Sequence, residues 1–96
     1  MGNLPPITPP TKRSVTIAGH ETSITLEPIF WEALIRAAEA RGLPVNALIA
    51  QIDLKRYEAD QLNPVGLGSA IRQWLYAEAL NMAAMAEAKA EPPSGA

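Results

Sequence analysis

The chain has 96 residues, a formal charge of −2 and no cysteine. That length supports one small domain, and the missing cysteines exclude a disulfide scaffold and leave the single histidine without partners for a metal site. The mild acidity argues against a protein that coats nucleic acid regardless of sequence.

The ends set the limits of the fold. Residues 1–11 (MGNLPPITPPT) hold four prolines and residues 91–96 (EPPSGA) share their character. Proline fixes φ and lacks an N–H, so neither end is expected in a regular element. The expected organisation is a disordered Pro-rich arm over 1–11, a folded domain over 12–80, and a frayed Ala-rich helix end with a disordered tail over 81–96. Roughly 70–75 residues then remain for the fold, where a single core is marginal and oligomerisation is one remedy. No basic-then-apolar leader and no membrane-length apolar run is visible, so a cytoplasmic location is expected. Charge is unevenly spread: residues 1–20 carry Lys12, Arg13 and His20 and no acid, and the acidic residues begin at Glu21.

In chain order, residues 13–18 (RSVTIA) alternate, with Val15 and Ile17 on one face and Ser14 and Thr16 on the other. Residues 22–26 (TSITL) alternate again. Both read as strands. The intervening Gly19-His20-Glu21 suits a hairpin, and one long extended segment bulged at Gly19 is the alternative.

A first helix is predicted from Pro28 to Arg41. Pro28 fits the first helical position, Glu27 complements the helix dipole, and Gly42 reads as the left-handed stop. Its stripe is Phe30, Leu34, Ala37 and Ala38, widened by Trp31 and Ile35. A second helix is predicted from Val45 to Arg56 or Tyr57, with Val45, Leu48, Ile49 and Ile52 at i, i+3, i+4 and i+7. Residues 58–66 read as a connection through Asn63-Pro64 and Gly66. A third helix is predicted from Leu67 or Ser69 to Ala88, with an apolar side of Leu67, Ile71, Trp74 and Leu75, extended by Tyr76. Beyond Leu80 it turns alanine-rich, which favours helix but buries little area, so fraying is expected there.

A strand with an open edge needs a partner. The expectation is that residues 22–26 pair antiparallel with the same strand of a second chain across a two-fold axis. Ile24 and Leu26 would then face the helices of both subunits, while Ser23 and Thr25 face outward with their mates. A two-stranded ribbon with a polar face is a shape that fits the DNA major groove, and hydroxyls can meet either edge of a base pair.

The segment 22-TSITLEPIFWEALIRAAEARGLPVNALIAQI-52 resembles the ribbon-helix-helix DNA-binding proteins, the group that includes Arc and the methionine repressor. With 12-KRSVTIAGHETSITLEPIFWEAL-34 and 67-LGSAIRQWL-75, it is similar to a bacterial subgroup with an extra third helix. The resemblance implies a mainly α fold with a short N-terminal β-ribbon, forming an intertwined homodimer plus a third helix. It implies base reading by Ser23 and Thr25, flanked by Glu21 or Glu27. It also implies phosphate binding by the N–H groups of Val45 and Asn46, where free amides and the helix dipole make an anion site. Ile24, Leu26, Phe30, Leu34, Leu48, Ile49 and Ile52 would form the shared dimer core.

The chain departs from the family pattern at three points. Ser23 and Thr25 stand where Arg, Lys, Asn or Gln usually read bases. Glu21 and Glu27 would be repelled by phosphate. Pro44 occupies a position typical of a capping Ser or Thr. Phosphate affinity is therefore assigned to Lys12 and Arg13. No cofactor, no metal and no membrane is expected. No nucleophile–base set or paired carboxylates can be assembled, so no enzyme is expected. Gly66-Leu67-Gly68-Ser69 reads as a helix start rather than a phosphate loop. His20 reads as a turn residue, Trp31 and Trp74 as core or interface aromatics, and Arg72 as either a phosphate contact or an ion pair. The expected partners are double-stranded DNA and a second copy. The alternative is an interaction module or antitoxin that binds a partner protein through the third helix.

Overall fold

The computed structural model describes residues 4–90, so Met1 to Asn3 of the expected arm and residues 91–96 of the expected tail lie outside the described residues. Five elements follow in order: β1 (Thr11–Ile17), β2 (His20–Leu26), α1 (Pro28–Ala40), α2 (Val45–Ala59) and α3 (Leu67–Ala90). Residues 4–10 join no regular element.

The two strands form an antiparallel ribbon within one chain. The expected hairpin is formed, so β2 has β1 on one edge and leaves its other edge open. The turn is Ala18-Gly19, two residues rather than three, and both take positive φ, 50° and 80°. Positive φ at both central positions gives a hairpin turn whose twist matches its strands, and Gly19 adopts it without a Cβ clash. His20 is thereby drawn into β2. The register pairs Thr11 with Leu26, Arg13 with Ile24, Val15 with Thr22 and Ile17 with His20 on one face. Hydrophobic patterning required an even-numbered turn, because only then do Val15 and Ile17 share a face with Ile24 and Leu26.

Helix α1 starts where sequence chemistry places it. Glu27 is the N-cap in extended geometry and Pro28 follows at the first turn. The Glu27 carbonyl accepts from the Phe30 and Trp31 amides at 2.9 and 3.1 Å. The helix ends in a complete left-handed cap: Gly42 sits at φ 64°, its N–H donates to Glu39, and the Leu43 N–H donates to Ala38. These bonds satisfy carbonyls that a helix end leaves open. Helix α2 runs to Ala59, two residues or more past expectation, and the Asp60 carboxylate then accepts from the Leu62 and Asn63 amides. Arg56 fastens this loop by donating to the Val65 carbonyl at 2.9 Å while paired with Asp53 at 2.6 Å.

The hairpin covers one side of the helices, with α2 touching β1 and α3 touching β2. The core is Val15, Ile24, Leu26, Trp31, Leu34, Ala38, Leu48, Ile49, Ile52, Ala70, Ile71 and Leu75. Ile24, Leu26, Leu34, Leu48, Ile49 and Ile52 are thus buried by their own chain, and Phe30 is half-buried against them. These seven residues pack against one another within the chain. No polar or charged residue is buried among the described residues, so the interior is defined by close packing of apolar side chains.

Candidate nucleic-acid interface

The outer face of the ribbon carries the other three cross-strand pairs: Lys12 with Thr25, Ser14 with Ser23, and Thr16 with Glu21. All six are exposed. Residues directly opposite in an antiparallel pair point to the same side, so the six side chains form a polar comb of two rows. A single chain presents this comb. Ser14 and Thr16 of β1 supply its second row.

The same register separates Lys12 from Arg13. Lys12 stands in the comb beside Thr25. Arg13 lies on the opposite face, its guanidinium 5.0 Å from the centre of the Trp31 ring. Trp31 is buried, and its indole N–H donates to the Thr11 carbonyl at 2.9 Å. Arg13 and Trp31 therefore clamp the start of β1 onto α1, which fixes the backbone that carries Lys12. Adjacent residues on a strand face opposite ways, and the basic pair is split accordingly.

Backbone polarity of the ribbon matters as much as its side chains. In a two-residue hairpin the pair closing the turn, here Ile17 and His20, exchanges hydrogen bonds, and bonded pairs alternate from there. The N–H and C=O groups of Glu21, Ser23 and Thr25 therefore point away from β1 along an open edge. No backbone bond to the rest of the described chain uses them. The far end of that edge is bounded by α3. Gly68 packs so that an added Cβ would stand 3.4 Å from the Thr25 carbonyl oxygen, and Arg72 Nη2 lies 3.4 Å from the same oxygen.

Arg72 has a second task. Its Nε and Nη2 both donate to Glu27 Oε1, at 3.0 and 2.9 Å. A hydrogen bond from the backbone amide of Glu27 and the one from Arg72 hold this carboxyl below the usual carboxylate range. Of the two readings open for Arg72, the ion pair is the one formed, and it occurs within the chain. It also offsets the negative charge of Glu27 beside the ribbon. Glu21 has no salt-bridge partner among the described residues and leaves the turn end of the comb acidic, with Lys12 making the opposite end basic.

The start of α2 is the second place where a phosphate could be met. Pro44 is the N-cap, and its carbonyl accepts from Ala47 and Leu48 at 3.0 and 3.3 Å. No side chain caps this helix. The N–H groups of Val45 and Asn46 have no hydrogen-bond partner among the described residues, and Asn46 is exposed. Pro44 removes one amide, and it also leaves these two without a competing side-chain oxygen. No hydrogen bond joins this corner to the ribbon among the described residues, so the chain presents two separate features rather than one pocket.

Ser14, Thr16 and the comb position of Lys12 are functional candidates that sequence reasoning left out. The signal was the parity of the turn: an even turn puts Ser14 opposite Ser23, and an odd one puts it opposite an apolar residue. Trp31 is a core residue and His20 lies at the start of a strand. Among the described residues no group of three or more His, Cys, Asp and Glu could hold a metal ion, and no helix is long and apolar enough to cross a membrane.

No curated protein and no solved structure is significantly similar to the chain. A family model described as a ribbon-helix-helix domain matches residues 10–79. That span starts one residue before β1, takes in both strands, α1, α2 and the part of α3 that reaches the core. The match covers most of the chain and includes every element that builds the comb, so this chain belongs to the ribbon-helix-helix domain family.

Proposed function

We propose that the chain is a sequence-specific DNA-binding transcriptional regulator, a repressor, that acts in the bacterial cytoplasm as a homodimer. The observation that carries this reading is the exposed six-residue comb beside an open β2 edge. Two chains join by pairing β2 with β2 across a two-fold axis, giving the strand order β1-β2-β2-β1. Neighbouring strands lie about 4.8 Å apart, so the outer strands stand about 14 Å apart. The major groove is about 12 Å wide. The two β2 strands therefore fit within the groove, and the β1 strands fall at its walls.

This arrangement gives each side chain a role. Ser23 and Thr25 face base edges, where hydroxyls bond donors or acceptors and the threonine methyl touches a thymine methyl. Glu21 accepts from a cytosine amino group. Lys12, with Ser14, meets phosphate at the groove wall. The Val45 and Asn46 amides take a further phosphate. Arg13 serves indirectly, by holding β1 on Trp31. Two-fold symmetry in the protein calls for a short palindromic operator, with two or more dimers side by side and repression by excluding polymerase.

The test is fluorescence anisotropy with duplexes selected by the protein from a random pool, over a salt series. Each phosphate contact contributes about −0.9 to the slope of log K against log salt. Lys12→Ala is expected to reduce the slope by about 2 per dimer, while Ser23→Ala and Thr25→Ala flatten the preference among duplexes at unchanged slope. Selection of no duplex above background at low salt would refute the reading. The second reading, a module or antitoxin that binds a protein through α3, draws on the exposed apolar side chains of that helix. It would be favoured by co-purification of a stoichiometric partner with no retained DNA.

A further inference from the structure

We infer that the apolar groove between α1 and α3 receives the projecting end of α3 from a second copy of this chain, at a contact separate from the ribbon. The groove has a volume of about 660 Å³ and is lined by Ala33, Ala37 and Ala40 of α1 and by Leu75, Ala79 and Met82 of α3. Its floor is small side chains. Beyond Leu75 no residue of α3 belongs to the core, yet the helix continues to Ala90. Residues 80–90 form a projection about 16 Å long at 1.5 Å per residue. It exposes Leu80, Met82 and Met85 by 53%, 61% and 61%.

Three observations select a second copy as the occupant. Met82 is at once a wall of the groove and part of the projection. A two-fold axis beside it would seat each projection in the other groove in one closed contact, as a self-complementary surface requires. Charge points the same way. The charges at the groove are already satisfied inside the chain, Glu32 with Arg36 at 3.5 Å and Arg41 with Glu78 at 2.6 Å. The projection carries one acid, Glu87, and one base, Lys89. Neither surface calls for a charged partner, and each suits a neutral apolar helix. Shape agrees as well, because flexible methionines fill irregular gaps over alanines.

The area is sufficient for a reversible contact. Ile29, Leu80, Met82 and Met85 are about half exposed or more. Leu80 lies on the opposite side of α3 from Met82 and Met85, so covering Ile29, Met82 and Met85 removes roughly 100 Å² each, and with the alanines of both helices roughly 500 Å² per partner, the size of a weak, reversible contact. Together with the ribbon pairing, this contact would join dimers into tetramers, which gives side-by-side dimers on DNA a physical link.

Sedimentation velocity over a concentration series tests this, comparing the full chain with the double variant Met82→Glu, Met85→Glu. Both positions are exposed, and unchanged far-ultraviolet circular dichroism will establish that the variant folds. The variant is expected to lose one doubling of mass while retaining sequence-selective DNA binding. Ser23→Pro removes an N–H from the open β2 edge and is expected to lose the other doubling. A failure of the ribbon reading therefore leaves the α3 result readable. Because the chain has no cysteine, a spin label at Met85→Cys reports its neighbours directly. An inter-copy distance that disappears in Ala37→Arg supports the contact. Identical sedimentation of the full chain and the double variant overturns it, as does a Met85 label that is immobilised only when a different protein is added.

Discussion

Trp31→Phe isolates the clamp that holds β1 in place. Trp31 is 3% exposed, donates its indole N–H to Thr11 at 2.9 Å and lies under Arg13 at 5.0 Å. Phenylalanine keeps one ring in place and removes the donor. The lost hydrogen bond costs about 1 kcal/mol. The vanished pyrrole atoms leave a gap in the core, worth about 1–2 kcal/mol in lost transfer and cavity terms. Arg13 over the smaller ring loses a few tenths of a kcal/mol. The sum is about 2–3 kcal/mol. With a urea dependence of about 1 kcal/mol per molar for a domain of this size, the midpoint should fall by about 2–3 M. Urea unfolding followed by far-ultraviolet circular dichroism measures this, at several protein concentrations because subunit association adds to apparent stability. Trp74→Phe is the internal control: Trp74 is half-buried, stacks with Arg41 at 4.9 Å and makes no indole hydrogen bond among the described residues, so a loss below about 1 kcal/mol is expected. Equal effects of the two substitutions, or a Trp31→Phe midpoint within about 0.5 M of the parent, would refute the assignment of Trp31 as the anchor of β1.

Three other outcomes follow from the geometry. Ala18→Asn should stabilise the hairpin by about 0.5–1 kcal/mol in thermal or urea unfolding, because asparagine tolerates the positive φ of Ala18 better than alanine does. Gly42→Ala should cost about 1 kcal/mol through backbone strain at φ 64°, since nothing lies within 4 Å of the added Cβ. Glu27 is held below the ordinary carboxylate range by hydrogen bonds to its own amide and to Arg72, so its contribution is present at neutral pH and is lost as acidity carries it through that lowered value. In a pH series of unfolding midpoints, the parent should therefore lose stability on acidification more steeply than Glu27→Gln, with the two curves converging at the acid end.

The two adjacent basic residues face opposite sides of the ribbon. Lys12 and Arg13 are neighbours in sequence with the same charge, and only Lys12 reaches the outer face. A comparison of their alanine variants separates the two roles: Lys12→Ala acts on the salt dependence of DNA binding, and Arg13→Ala acts on the unfolding of β1.

Sequence alone determined the local architecture. The period-two alternation of residues 13–17 and 22–26, the Pro28 start, the Gly42 stop and the i, i+3, i+4 stripe of α2 are short-range signals, and each lies where steric and hydrogen-bonding preferences act within a few residues. The inward set Ile24, Leu26, Leu34, Leu48, Ile49 and Ile52 followed from those same periods. What tertiary structure decided was pairing. The register of β1 on β2 depended on a turn of two residues, and a shift by one residue there exchanges the faces of a strand. That single parity moved Ser14 and Thr16 into the comb and turned Arg13 under the ribbon onto Trp31. The Arg72–Glu27 pair joins residues 45 positions apart, and the groove beside Met82 joins two helices separated by all of α2. Neither has a local signature, because each exists only when packing brings distant segments together.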